Sequence, residues 1–147
     1  MLLESHRFDR VKAAQAVDTA AINSDIIDMG VAEGFDSVAF IVLWGTITDG
    51  TPYVKGQQGA ESDMSDAADL LGTSVEAADT DDGLLSILDI DRPLERYVRC
   101  VVTRAGSTGA VVDGILAILY NSKKEPVTQS SDVAASEKHV SPAEGAA

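Results

Sequence analysis

Ser37-Val38-Ala39-Phe40-Ile41-Val42-Leu43-Trp44-Gly45-Thr46-Ile47-Thr48 decides the architecture of this 147-residue chain. A strand sends successive side chains to opposite faces. A period of two therefore sorts this stretch into Val38, Phe40, Val42 and Trp44 on one side and Ala39, Ile41, Leu43 and Ile47 on the other. Both sides are apolar, the pattern of a central strand covered on two faces. Asp49-Gly50-Thr51-Pro52 then reads as a turn, because glycine tolerates positive φ and proline cannot continue a ladder. Tyr53-Val54-Lys55 reads as the return strand of a hairpin.

The same period recurs downstream. Gly83 to Ile90 is a strand candidate closed by Asp91-Arg92-Pro93. From Leu94 to Thr108, alternation places Leu94, Val98, Cys100 and Val102 on a buried face and Glu95, Tyr97, Arg99 and Thr103 on the other, with Arg96 the exception on the buried side. After a Gly- and Ser-rich loop, Ala110 to Tyr120 is a β-branched strand interrupted at Asp113-Gly114, where a bulge or an edge is expected. Upstream, Arg10 to Val17 and Ile22 to Met29 read as shorter strands, although Val11 to Ala21 also fits an Ala-rich helix. A helix of at most two turns is expected over Ser65 to Leu71, with Ser65 as its cap.

Strands at intervals with turn signals between them predict an all-β protein: a single β-sandwich or jelly-roll-like domain with an extended C-terminal tail. Residues 1–36 form an N-terminal arm and the first short strands, and 37–121 the sandwich core. Residues 122–147 form an extended or disordered tail whose isolated Val127, Val133 and Val140 are too few to offset the entropy of ordering it alone.

Composition narrows the function. An apolar fraction of 45% suits one globular core, and a formal charge of −13 excludes nucleic acid as the main partner, since phosphate binding needs clustered Lys and Arg. Cys100 stands alone in an apolar run, so it forms no intrachain disulfide and behaves as a small buried hydrophobe. The first residues lack a basic stretch followed by a hydrophobic one, so no secretory signal is read there. Val38 to Trp44 and Ile115 to Tyr120 fall short of the about 20 residues a membrane helix requires. A soluble protein made in the cytoplasm and not bound to a membrane is expected.

Reactive patterns are absent from the sequence. His6 and His139 lack metal-ligand spacing, and there is no Gly-x-Ser-x-Gly elbow. Asp79-Thr80-Asp81-Asp82-Gly83 has its glycine one position early for a calcium loop, and Ile90 stands where the closing Glu belongs, so it reads as a solvated acidic loop. Glu61, Asp63, Asp66 and Asp69 read as a hydrated rim. No catalytic residue, metal or cofactor is expected, and the chain reads as a non-enzyme.

Several segments occur together in a suggestive order: Phe40-Ile41-Val42-Leu43-Trp44, Val54-Lys55-Gly56-Gln57-Gln58, Glu61 to Asp69, Ile87-Leu88-Asp89-Ile90, and Arg96-Tyr97-Val98-Arg99-Cys100-Val101-Val102-Thr103. That order, over Ser37 to Tyr120, resembles small β-sandwich virion proteins of tailed bacteriophages, the head decoration or cement proteins. The acidic loop from Thr73 to Gly83 is longer than that family leads one to expect. The resemblance implies a structural protein resident on the capsid surface of the virion, bridging neighbouring subunits of the major capsid protein. It also implies a homo-oligomer, a trimer in preference to a dimer. Leu2, Leu3 and Phe8 at one end and Val127, Val133 and Val140 at the other are the candidate capsid or subunit interface. Two other functions suit the same sandwich. One is a tail or head-completion (neck) ring subunit. The other is a carbohydrate-binding adhesive module, whose platform would be Tyr53 with Gln57 and Gln58, or Tyr97 with Arg99.

Overall fold

The computed structural model describes residues 1–140 and 143–145; residues 141–142 and 146–147 of the expected tail lie outside the described residues. A four-residue helix, α1 (Leu2–Ser5), precedes β1 (Arg7–Lys12), β2 (Gln15–Asp18), β3 (Ile22–Asn23), β4 (Ile27–Asp28), β5 (Phe35–Ile47) and β6 (Tyr53–Gly59). Then come β7 (Ala68–Asp69), β8 (Val75–Glu76), β9 (Leu85–Asp91), β10 (Tyr97–Thr103) and β11 (Ala110–Ser122). Two antiparallel sheets pack face to face as a β-sandwich. Sheet A runs β1-β11-β5-β9 with β2 also on β11; sheet B runs β3-β10-β6-β7 with β4 on β10 and β8 on β6.

The core is where the alternating faces meet. Val38, Phe40, Val42 and Trp44 of β5, with Ile115, Ala117 and Leu119 of β11, face Val54 of β6 and Val98, Cys100 and Val102 of β10, all buried. The indole N–H of buried Trp44 donates to Ser86 Oγ at 2.8 Å, so the largest core side chain leaves no unmet donor. Gly56 allows the sheets to approach closely, because a Cβ there would come within 2.9 Å of Ile90 Cδ1. β5 is interior in its sheet, between β11 and β9. The break expected at Asp113-Gly114 is a β-bulge, with register shifts on both sides of Val112.

Arg104 ties the first strands to the core. The residue is 6% exposed, and its guanidinium donates to the carbonyls of Ala16 and Ala20 at 2.7 Å and of Ala110 at 3.2 Å. These bonds hold β2 and the bend at Thr19-Ala20 in place, and Val11 to Ala21 is not the helix its alanines also permit.

Three local expectations are corrected. Asp49 to Pro52 is not a hairpin turn: β5 and β6 lie in different sheets, and β6 pairs with β10. The Asp49 carboxylate is held by the Ser107 to Gly109 loop, and five residues of chain suffice to cross the ~10 Å between sheets. Ser65 to Leu71 forms no helix. Asp63 accepts the Ser65 N–H and Asp66 accepts those of Ala60 and Glu61, turn bonds that outcompete a helical ladder, while Ala68 and Asp69 pair with β6. Leu94 is 89% exposed rather than buried. It precedes β10, which starts at Tyr97, so strand parity does not reach it, and Arg96 turns out to Asp28 in a two-pronged pair at 2.7 and 2.9 Å.

Candidate interaction surface

The outer faces of the two sheets differ in chemistry. On sheet B the outward side chains bond to one another: Lys55 Nζ and Gln57 Nε2 each reach an Asp69 carboxylate oxygen at 2.7 Å, and Arg99 Nε donates to Gln57 Oε1 at 2.8 Å. These bonds hold the Asp69 carboxyl below the usual aspartate range. Gln58 Oε1 accepts the Leu94 N–H, and the Arg96 guanidinium lies 5.4 Å from the Tyr97 ring centre. The polar groups considered for a sugar platform are thus engaged within the chain.

Sheet A presents the opposite surface. Cross-strand register sets Ile87 beside Ile41 and Ile41 beside Leu116, while Leu85 lies beside Leu43 and Ile118 beside Phe8. Leu85 is 57% exposed, Ile87 56% and Leu116 37%, with Ile41, Leu43, Ile118 and Phe8 half-buried among them. The reading of β5 as covered on both sides is therefore corrected. Its even-numbered face from Val38 to Trp44 is in the core, whereas Ala39, Ile41 and Leu43 line a face open to solvent. The reason is architectural: α1 is the only helix among the described residues and is too short to cover a sheet. Polar groups border the patch. Tyr120 Oη donates to Asp89 at 2.6 Å and Ser37 Oγ to Asp91 at 2.7 Å, and Arg10 stands beside Leu116. Burial and the bond to Asp89 push the Tyr120 phenol up.

The six candidate interface residues are scattered. Phe8 joins the open face of sheet A, Leu3 is half-buried, and Leu2 is 59% exposed on α1. Val127 is 8% exposed and packs in the chain's own core, Val133 is half-buried, and Val140 is 84% exposed. The segment around Val127 lies along β1. The Val127 N–H donates to the Glu4 carbonyl, Gln129 Oε1 accepts the Phe8 N–H, and Asp132 Oδ2 accepts the Arg10 N–H. Leu85, Ile87, Leu116 and Ile118 went unrecognised as surface. The available signal was a strand apolar on both sides in a chain with almost no helix to lay over it.

A cleft of about 550 Å³ at one end of the sandwich gathers Arg92, Arg96 and Lys123, each already beside an aspartate: Asp91 at 3.7 Å, Asp28 at 2.7 Å and Asp36 at 3.3 Å. Burial pushes the Cys100 thiol up to about 12, far from a thiolate nucleophile. Among the described residues no group of three His, Cys, Asp or Glu side chains could hold a metal, and no helix is long and apolar enough to cross a membrane.

No family model matches the chain, and no curated protein matches it. Similar solved structures include a chain of the disulfide-linked pili that form Bacillus endospore appendages, with a TM-score of 0.46 and 13% identity over 80% of this chain and 88% of that one. PirA is another, with a TM-score of 0.39 and 15% identity over 80% and 94%.

Proposed function

We propose that this protein is a structural subunit that binds neighbouring protein subunits through the open face of sheet A. The observation that carries this reading is the contrast between the two sheets, one outward face a bonded polar network and the other a row of exposed Leu and Ile. Contiguous apolar surface on a strongly acidic protein marks a contact site, because covering it removes apolar area from water at roughly 25 cal/mol per Å². In its finer form, supported by the resemblance of segments between Phe40 and Thr103, the neighbours are subunits of the major capsid protein of a tailed-bacteriophage head. The chain is then a decoration, or cement, protein on the virion surface. Its action is passive, since many copies each adding a modest contact make rupture of the shell cost all of them together.

Leu116→Glu tests the face. Leu116 lies mid-face with its side chain turned away from the core, so the variant keeps its fold and loses at least tenfold in rebinding to particles from which the native protein has been stripped. Unchanged rebinding would remove sheet A from the contact. Stoichiometry in purified virions tests the finer form. A copy number comparable to that of the major capsid protein supports decoration, and a single ring's worth assigns the chain to the neck or tail.

A further inference from the structure

The lateral edges of the sandwich are not protected alike. At the β1 edge of sheet A, Gln129 and Asp132 take the outward Phe8 and Arg10 N–H groups at 3.2 and 2.9 Å. Sheet B ends in β3 and β4 on one side and β7 and β8 on the other, all two residues long and too short to template another strand. β9 differs, being seven residues long and at the opposite edge of sheet A. The Trp44 N–H bonds the Leu84 carbonyl and the Arg92 N–H bonds the Asp36 carbonyl. Alternation between these points turns Ser86, Leu88 and Ile90 toward β5, and the backbone groups of Leu85, Ile87 and Asp89 away from it. Among the described residues β9 pairs with β5 alone, and those three N–H groups make no backbone bond to a loop. Val75 to Ala77 flank this edge across a cleft of about 180 Å³ but pair with β6 rather than β9, and Leu85 and Ile87, which present it, carry the most exposed side chains of the open apolar face.

We propose that β9 pairs antiparallel with β9 of a second copy about a two-fold axis at Ile87, joining two A sheets into one continuous sheet. This deepens the reading of the chain as an assembly subunit and rests on it. A second copy is the occupant because β9 complements itself in one direction: its first half carries Leu85 and Ile87 outward, its second half Asp89 and Asp91. Antiparallel pairing about Ile87 sets Asp89 opposite Leu85 and Asp91 opposite Gly83 of the second copy, so no carboxylate faces another. Parallel pairing would set like charges side by side, which is destabilising. The same register extends the apolar row without a gap. Leu116, Ile41 and Ile87 of one copy run directly into Ile87, Ile41 and Leu116 of the other, and the outward N–H groups gain acceptors.

Two variants test this. In a hydrogen-bonded antiparallel pair the facing Cβ atoms are about 5.5 Å apart, too wide for an unstrained disulfide but within reach of a short two-headed thiol reagent. Ile87→Cys, treated at low concentration with a short bis-maleimide, should therefore become a covalent dimer, with native Cys100 buried out of competition. Leu85→Cys, which faces Asp89 in this register, should not. Ile87→Pro removes an N–H that the monomer does not use, and should weaken dimerisation at least tenfold by sedimentation equilibrium while leaving the circular dichroism spectrum unchanged. Failure of Ile87→Cys to cross-link, equal cross-linking of Leu85→Cys, or an unaltered dimer in Ile87→Pro would each overturn the pairing. If Leu116→Glu abolishes particle binding in that event, the assembly reading survives without it. A cross-linked Ile87→Cys dimer combined with unimpaired particle binding by Leu116→Glu would keep the pairing and sink the reading of the face.

Discussion

Asp49 shows how one side chain fixes a connection between sheets. Its carboxylate accepts the Ser107 hydroxyl and backbone N–H at 2.7 Å, the Gly109 N–H at 2.9 Å and the Thr108 N–H at 3.0 Å. These donors hold its carboxyl far below the usual aspartate value of 3.8, the hydroxyl contributing most. A depressed folded-state pKa gives stability that is present above the unfolded value and lost as pH falls below it. The urea midpoint should drop on going from pH 7 to pH 3, with Asp18, Asp28 and Asp66, also lowered by hydrogen bonds, adding to the loss. Asp49→Asn should be less stable at pH 7 and lose less on acidification; an acid loss as large as the wild type's would show that Asp49 is not its source. Nothing in Asp49-Gly50-Thr51-Pro52 separates a hairpin from a crossing between sheets, because the deciding bonds come from residues almost sixty positions away. Gly109 likewise has a reason visible only in space: its φ is 85° and a Cβ would run into the Asp18 carbonyl. Burial of Cys100, by contrast, was legible, because strand parity and apolar neighbours both point inward.

Among the elements, the segment after β11 departs furthest from what composition suggests. Three valines in 122–147 cannot organise a tail by hydrophobic burial, yet residues 127 to 132 close the β1 edge. They do so with the amide of Gln129 and the carboxylate of Asp132, polar groups that hydrophobic patterning does not register, and with one buried anchor, Val127. Removing residues 125–147, which leaves β11 whole, should cost about 1–3 kcal/mol in urea unfolding, from the lost burial of Val127 and the bonds to β1. It should also make the protein prone to aggregation through the uncovered edge. An unchanged unfolding midpoint would show that the segment is not part of the folded unit. The long strands were legible because each sustains its period over many residues; β3, β4, β7 and β8 are two residues long, and only their partners in β6 and β10 define them.

At the scale of the whole molecule, a charge of −13 opposes every contact between copies. Raising ionic strength from about 10 mM to about 150 mM shortens the screening length from about 30 Å to about 8 Å. Pairing of two copies through β9 should therefore tighten with salt in sedimentation equilibrium, and weakening with salt would mean that ion pairs hold the copies together. Legible in the residues alone were the all-β class, a central strand over Ser37 to Thr48, a break at Asp113-Gly114 and the inward turn of Val98, Cys100 and Val102, because alternation is a local property that any two-sided sheet must satisfy. Which of the two apolar faces of β5 meets the other sheet and which stays open is set by the packing of the layers. The same packing sets which edge the chain's own tail closes and which is left unpaired. Periodicity records that a face is apolar but not what lies against it; that depends on how many layers the chain can build, and this one builds two.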